Sequence, residues 1–252
     1  MTKSYRHYGR AVVPIQAMAL LAACNGQNGQ GDPAVQANTA SAATSPIPAA
    51  TPVKSVPVTG PKRLVLAFGD SLYAGYGLAR GQSLPDALQT RLRGAGVDAT
   101  IVNAGVSGDT TAGGRRRLAY TLDRLERRPD LVLLGLGGND VLRQVSPAET
   151  RANLEAMLAD LDRRHIPVVL TGMLAPPNLG PDFAGRFNAI FPDLARRHDA
   201  LLDPFILQGV IGNRALMLPD GVHPNAQGVE RIADRLAPLV ERRLAELPRD
   251  DR

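Results

Sequence analysis

Four short segments of this 252-residue chain carry side chains that could do chemistry. In Gly69-Asp70-Ser71-Leu72 a glycine permits a tight turn, so the following serine can point its hydroxyl into a crevice. An ordinary turn with a capping Ser or Asp would read the same way. Asn103-Ala104-Gly105-Val106-Ser107-Gly108-Asp109 offers glycines whose backbone N–H groups could approach a ligand, or simply a flexible turn. Gly137-Gly138-Asn139-Asp140 offers an asparagine amide as a donor, in a stretch whose Gly and Asn also suit a plain turn. The fourth segment is Asp220-Gly221-Val222-His223-Pro224. An Asp three residues before a His can reach the imidazole Nδ1, fix its tautomer and stabilise the imidazolium. A serine hydroxyl is a weak nucleophile until such a base takes its proton. Of the other histidines, His7 lies in a basic leader, while His165 and His198 fall at expected helix C-termini, where a partly charged imidazole suits the helix dipole.

The elements between these segments decide whether they can meet. Apolar runs rich in Val, Leu and Ile at 64–68, 100–103, 131–136, 167–171 and 201–203 suit strands of a sheet buried on both faces. Amphipathic stretches over 84–93, 110–128, 147–165, 182–198 and 225–247 predict helices between them. The third has Ser146 as N-cap, Pro147 at the first helical position and Glu149 placed for a capping box. Strand–helix alternation of this kind predicts one doubly wound α/β domain with right-handed crossovers. Ligands of such sheets bind outside the carboxyl ends of the strands, which is where the four segments fall. The serine segment lacks the G-x-S-x-G spacing of an α/β-hydrolase elbow, and no glycine run has the spacing of a phosphate or dinucleotide loop.

Taken in chain order, the four segments resemble the SGNH hydrolase superfamily, often called GDSL esterases and lipases, over residues 62–245. The resemblance implies an α/β fold: a single three-layer α/β/α domain on a five-stranded parallel, flavodoxin-like sheet. It makes Ser71, Gly105, Asn139 and His223 the namesake residues, with Asp220 as third member of the triad. His223 would take the Ser71 proton, and the Ser71 and Gly105 N–H groups and the Asn139 amide would form the oxyanion hole. Longer strings, Ser71-Leu72-Tyr73-Ala74-Gly75-Tyr76, Asn139-Asp140-Val141-Leu142-Arg143 and Pro176-Pro177-Asn178-Leu179-Gly180, resemble small bacterial periplasmic enzymes with thioesterase, lysophospholipase and arylesterase activity. By that resemblance the substrate is a small ester, thioester or lysophospholipid, and Tyr73, Leu142, Arg143, Pro177 and Asn178 line its site. Leu174, Leu179 and Phe183 are apolar enough to receive an acyl chain or merely to pack. A carbohydrate O-acetyl esterase and a catalytically inactive ligand-binding module are the alternatives on the same fold. No cofactor is required, and no Cys/His spacing offers a metal site.

Charge and the single cysteine point to the remaining residues. The chain carries 29 basic and 24 acidic side chains, a net +5, which at face value suits a nucleic-acid or membrane partner. Lys3, Arg6 and Arg10 precede an apolar stretch that stops at Cys24, the pattern of a secretory signal over 1–23. Leu21-Ala22-Ala23-Cys24 resembles a bacterial lipoprotein box, which implies lipidation of Cys24, a membrane-surface partner through that anchor, and export to the periplasmic side of the outer membrane. Without 1–23 the excess of basic over acidic side chains falls from five to two. Residues 25–60 have 29 of 36 positions as Pro, Ala, Gln, Thr, Ser, Gly or Asn and no aromatic or leucine, so 24–60 is expected to be a disordered tether before a hydrolase domain over 61–252. Arg115-Arg116-Arg117 is expected to lie on a solvated helix face rather than to bind nucleic acid.

Overall fold

The computed structural model describes residues 57–248; the expected signal, Cys24 and most of the expected tether lie outside them. In chain order the elements are β1 (Thr59–Gly69), α1 (Ser71–Ala74), α2 (Leu84–Gly94), β2 (Val97–Gly105), α3 (Thr111–Asp123), β3 (Leu131–Gly135), α4 (Gly138–Leu142), α5 (Pro147–Arg163), β4 (Val168–Thr171), α6 (Pro181–Asn188), α7 (Ile190–Arg197), β5 (Leu201–Asp203) and α8 (Ala226–Ala245). All five strands pair in parallel, in the order β2-β1-β3-β4-β5. This is the doubly wound arrangement expected from the sequence.

The apolar runs read as strands because both faces of the sheet are covered. Val65 and Ala67 of β1, with Leu131 and Leu133 of β3, pack on one side against Leu88 and Leu92 of α2 and Ile232, Leu236 and Val240 of α8. Leu66, Phe68, Val132 and Leu134 face the other way, against Leu118 of α3, Leu154, Met157 and Leu158 of α5 and Phe191 and Leu194 of α7. Each such side chain, fully buried, stabilises the fold by about 1.5–3 kcal/mol, so the strands are fixed in register before any site residue matters.

Four details differ from expectation. β1 begins at Thr59, inside the stretch expected to be tether, and pairs with β2 through a register shift between Thr59 and Arg63. The single helix expected over 182–198 is two helices, α6 and α7, meeting at Ala189. Pro192 supplies the reason: it has no N–H to give the Asn188 carbonyl, and its ring crowds that carbonyl. The Asn188 side chain accepts from the Ala175 N–H at 2.8 Å, tying the β4 loop to the break. At α5, Ser146 caps the Glu149 N–H at 3.2 Å, but the reciprocal capping-box pair forms at α2, between Ser83 and Asp86. Two one-turn helices, α1 and α4, sit where loops are expected.

The strand order places the switch point between β1 and β3. From β1 the chain steps outward to β2 and then returns past β1 to β3, so the loops leaving β1 and β3 diverge and open a crevice.

Candidate active site

The loop leaving β1 carries Ser71 as the first residue of α1, preceded by Asp70 as its N-cap. Asp70 Oδ1 accepts from the Leu72 N–H at 3.1 Å, and α1 closes on Gly75 at φ +82°, a left-handed conformation that glycine adopts without strain. This one-turn helix fixes the serine at the mouth of the crevice, with 9% of its surface exposed.

The partner of Ser71 comes from the far end of the chain, on the loop before α8. Asp220 Oδ1 accepts the backbone N–H groups of Val222 and His223 at 2.9 and 3.0 Å, folding the loop onto its own carboxylate. The other oxygen accepts from His223 Nδ1–H at 2.7 Å. Those contacts, the His223 N–H foremost, lower the Asp220 carboxyl to about 2, so it is charged across the working pH range. With Nδ1 committed to Asp220, Nε2 is left to accept from Ser71 Oγ–H, at 2.9 Å across 152 residues of chain. Asn225 anchors this loop by capping the Gly228 N–H at 3.0 Å and donating to the Ala215 carbonyl at 2.8 Å. The three residues expected as a triad therefore meet as a hydrogen-bonded relay.

Asn139, in α4 after β3, also reaches the crevice. Its Nδ2 donates to the Asp109 carbonyl at 2.9 Å and lies 3.5 Å from Asp70 Oδ2. The next residue locks it in place. Asp140 is buried and accepts from the Thr111 N–H at 2.8 Å, Thr111 Oγ1 at 2.5 Å and Thr150 Oγ1 at 3.2 Å, so α4 is tied to α3 and α5. Asp70 itself is buried behind the nucleophile, and that burial pushes its carboxyl up to about 6 against the opposing pull of the Leu72 N–H.

Gly105 does not play the expected part. It is the last residue of β2, paired with Gly69, and its N–H donates to the Asn103 side chain at 2.9 Å rather than facing the crevice. A Cβ there would come within 2.3 Å of the Ala74 N, so the glycine is needed to let α1 rest on the end of β2. The N–H better placed for the crevice is that of Gly108, three residues on. It has φ +83°, follows the turn closed by Asp109 N–H on the Val106 carbonyl at 3.1 Å, and precedes the residue whose carbonyl holds Asn139. No acceptor among the described residues takes the Gly108 N–H. The left-handed φ, in a loop rather than at a strand end, is the structural difference between the two glycines, and residue type alone does not show it.

Of the residues expected to meet substrate, Tyr73 is corrected. Its ring is fully buried beneath α1, against Gly69 and Gly135, and its hydroxyl shares a 2.9 Å hydrogen bond with Thr171 Oγ1. Tyr76, one turn on, takes the exposed place: its ring centroid lies 4.4 Å from that of His223, with 52% of its surface open. Leu142 is 62% exposed at the end of α4, and the neighbouring Arg143 donates to the Gly108 carbonyl at 2.9 Å. Pro177 and Asn178 form an exposed 3-10 turn after β4 and do not join the hydrogen-bonded relay. Leu174 is exposed, while Leu179 and Phe183 pack on the core.

A serine–histidine–aspartate relay, with an amide donor beside it at the switch point of a parallel sheet, is a constellation for acyl transfer. Residues 67–231 match the GDSL-like Lipase/Acylhydrolase family. The chain belongs to this family. It is 38% identical over 177 residues to "Esterase TesA" of Pseudomonas aeruginosa, covering 70% of this chain and 87% of that protein. It is 38% identical over 173 residues to an "Arylesterase" of Vibrio mimicus, covering 69% and 86%. A third relative, "Thioesterase 1/protease 1/lysophospholipase L1" of Escherichia coli, is 36% identical over 180 residues, covering 70% and 84%. Among solved structures, the SGNH-hydrolase family esterase AlinE4 is 48% identical with a TM-score of 0.63, covering 75% of this chain and all of the other. A TesA structure is 37% identical with a TM-score of 0.68, covering 72% and 99%. This GDSL family member is an ester hydrolase, with the α/β fold that the resemblance implied.

Proposed function

We propose that the chain hydrolyses carboxylic esters or thioesters with small to medium acyl chains through an acyl-enzyme on Ser71. The observation that carries this reading is the continuous relay from Ser71 Oγ through His223 to Asp220, at 2.9 and 2.7 Å. His223 Nε2 takes the Ser71 proton as Oγ attacks the acyl carbon, and the imidazolium then protonates the leaving alcohol or thiol. Water attacks the acyl-enzyme with His223 again as base, releasing the acid and restoring Ser71. Asp220 stays ionised throughout, holding the imidazole and balancing its charge. The oxyanion is received by the Ser71 N–H, the Gly108 N–H and the Asn139 amide, the second replacing Gly105 on the geometry above. Each such donor is worth about 3 kcal/mol of transition-state stabilisation in hydrolases generally.

The relatives named as esterase, arylesterase, thioesterase and lysophospholipase support the arylesterase, lysophospholipase and thioesterase range for this chain. Tyr76, Leu142 and Leu174 are exposed apolar side chains on the loops after β1, β3 and β4, the end of the sheet where an acyl chain would lie. Rates on p-nitrophenyl acetate, butyrate and octanoate, with a parallel acyl-thioester assay, test the reading. Activity that persists or rises from acetate to octanoate supports it, and acetate-only turnover contradicts it in favour of a deacetylase. The expected export and lipidation at Cys24 rest on residues 1–24 of the sequence, and intact-mass measurement of membrane-extracted protein tests them.

A further inference from the structure

The run Arg115-Arg116-Arg117 is expected to be a solvated face, and for Arg115 and Arg116 it is. Arg117 turns the other way. Its guanidinium lies 3.8 Å over the ring of the buried Phe68 and makes three hydrogen bonds at the carboxyl ends of the strands. Nη2 donates to the Gly69 carbonyl at 2.9 Å, Nη1 to the Ala104 carbonyl at 2.9 Å, and Nε to Asp109 Oδ2 at 2.6 Å. Gly69 is two residues before the nucleophile, and Ala104 is the penultimate residue of β2. Asp109 follows Gly108 and, through its own carbonyl, holds the Asn139 amide. Every chain segment that supplies an oxyanion donor is thus tied to one side chain, directly or through Asp109.

We propose that Arg117 is a positioning residue for ester hydrolysis, a brace that holds the Ser71, Gly108 and Asn139 donors at one spacing. The proposal rests on the oxyanion assignment above. Three features suit a brace rather than an incidental ion pair. The guanidinium is planar with fixed donor directions, so three acceptors on different segments fix it as much as it fixes them. The pair is largely withdrawn from water, Arg117 being 21% and Asp109 15% exposed, so screening is weak. The fold also leaves room for it: a Cβ on Gly113 would come within 2.2 Å of Asp109 Oδ1, so a side chain there would push aside the carboxylate that Arg117 holds. Donors aimed in advance at where charge develops need no reorganisation during reaction, and a displacement of a fraction of an ångström weakens them.

The test compares R117M, R117K and the exposed-face control R116M on p-nitrophenyl butyrate, with a phenylalkyl boronic acid as probe of the tetrahedral state. R117M is expected to lower kcat by about 10²-fold with KM changed by less than about threefold, and to weaken boronate binding by a similar factor. R117K, whose ammonium cannot span three acceptors, is expected to fall between R117M and wild type; R116M should match wild type. Assays well below each variant's melting temperature separate positioning from stability. A wild-type kcat in R117M, or a kcat loss with unchanged boronate affinity, overturns the proposal. Should R117M not fold, R117K decides it by the same two readouts. Labelling of Ser71 by a fluorophosphonate, run on all variants and on S71A, tells the two failures apart. Loss of labelling in the wild type sinks the nucleophile assignment, while intact labelling with unaltered kinetics in the Arg117 variants sinks only the brace.

Discussion

The loops that do the chemistry and the loops that would meet the substrate are built differently. Ser71, Asn139 and His223 each sit within two residues of a side chain engaged by the surrounding fold: Asp70 capping α1, Asp140 joining three helices, and Asn225 capping α8. Leu142, Leu174, Pro177 and Asn178 are exposed, and among these segments Arg143 alone reaches the oxyanion loop, through the Gly108 carbonyl. A relay that works within a few tenths of an ångström has to be over-determined, whereas a surface that only ranks acyl chains does not. Changes at the first set should cut turnover for every ester alike, and changes at the second should reorder esters without abolishing any.

That contrast can be broken in order of effect. S71A is expected to lower kcat by at least about 10³-fold on every ester while the melting temperature holds, measured by steady-state kinetics and thermal unfolding. N139A is expected to cost about 10²–10³-fold in kcat with KM little changed, the signature of a donor used in the transition state. Y76A and L142A should move the ratio of octanoate to acetate turnover by about tenfold or less, since each removes only part of an apolar contact of about 1–3 kcal/mol. A 10³-fold loss on acetate in either variant would erase the distinction drawn above.

The smallest effect concerns stability. Asp70 is held near 6 by burial, well above the ordinary carboxylate, so the folded state keeps a proton that the unfolded chain gives up. Stability is therefore lost as pH rises from about 4 to 6 and is level above that. D70N keeps an acceptor for the Leu72 N–H without the charge. Relative to wild type it should gain stability above pH 6, up to about 3 kcal/mol, and converge near pH 4. Melting temperatures of both proteins from pH 4 to 8 check this. Asp220 stays ionised to about 2, so a fall in activity on mild acidification does not come from its carboxylate.

Much of this was readable from residue types and spacing. Five strands buried on both faces leave continuous apolar runs, and a doubly wound order follows from their alternation with helices. Ser71, Asn139, Asp220 and His223 lie next to strand ends or helix starts, where a linear motif stays local. What escaped depends on direction rather than type. One-turn helices such as α1 and α4 are too short to show a period, so nothing in the string said that Tyr73 turns under the sheet to Thr171 while Tyr76 turns out to His223. Gly105 and Gly108 look alike until the pairing of Gly69 with Gly105 shows which one the strand consumes. Arg117 is one of three consecutive arginines, and only its place on α3 aims it at the strand ends. The break at Ala189 was visible in principle, as Pro192 cannot donate to Asn188.

The most direct measurement is the mass of the acylated enzyme. The protein is mixed with a slowly hydrolysed p-nitrophenyl ester, quenched within the burst, and digested for peptide mass spectrometry. The account predicts one acyl group, on the peptide at Ser71, absent from S71A and cleared as product acid appears. An acyl group on another residue, or full turnover by S71A, would contradict it.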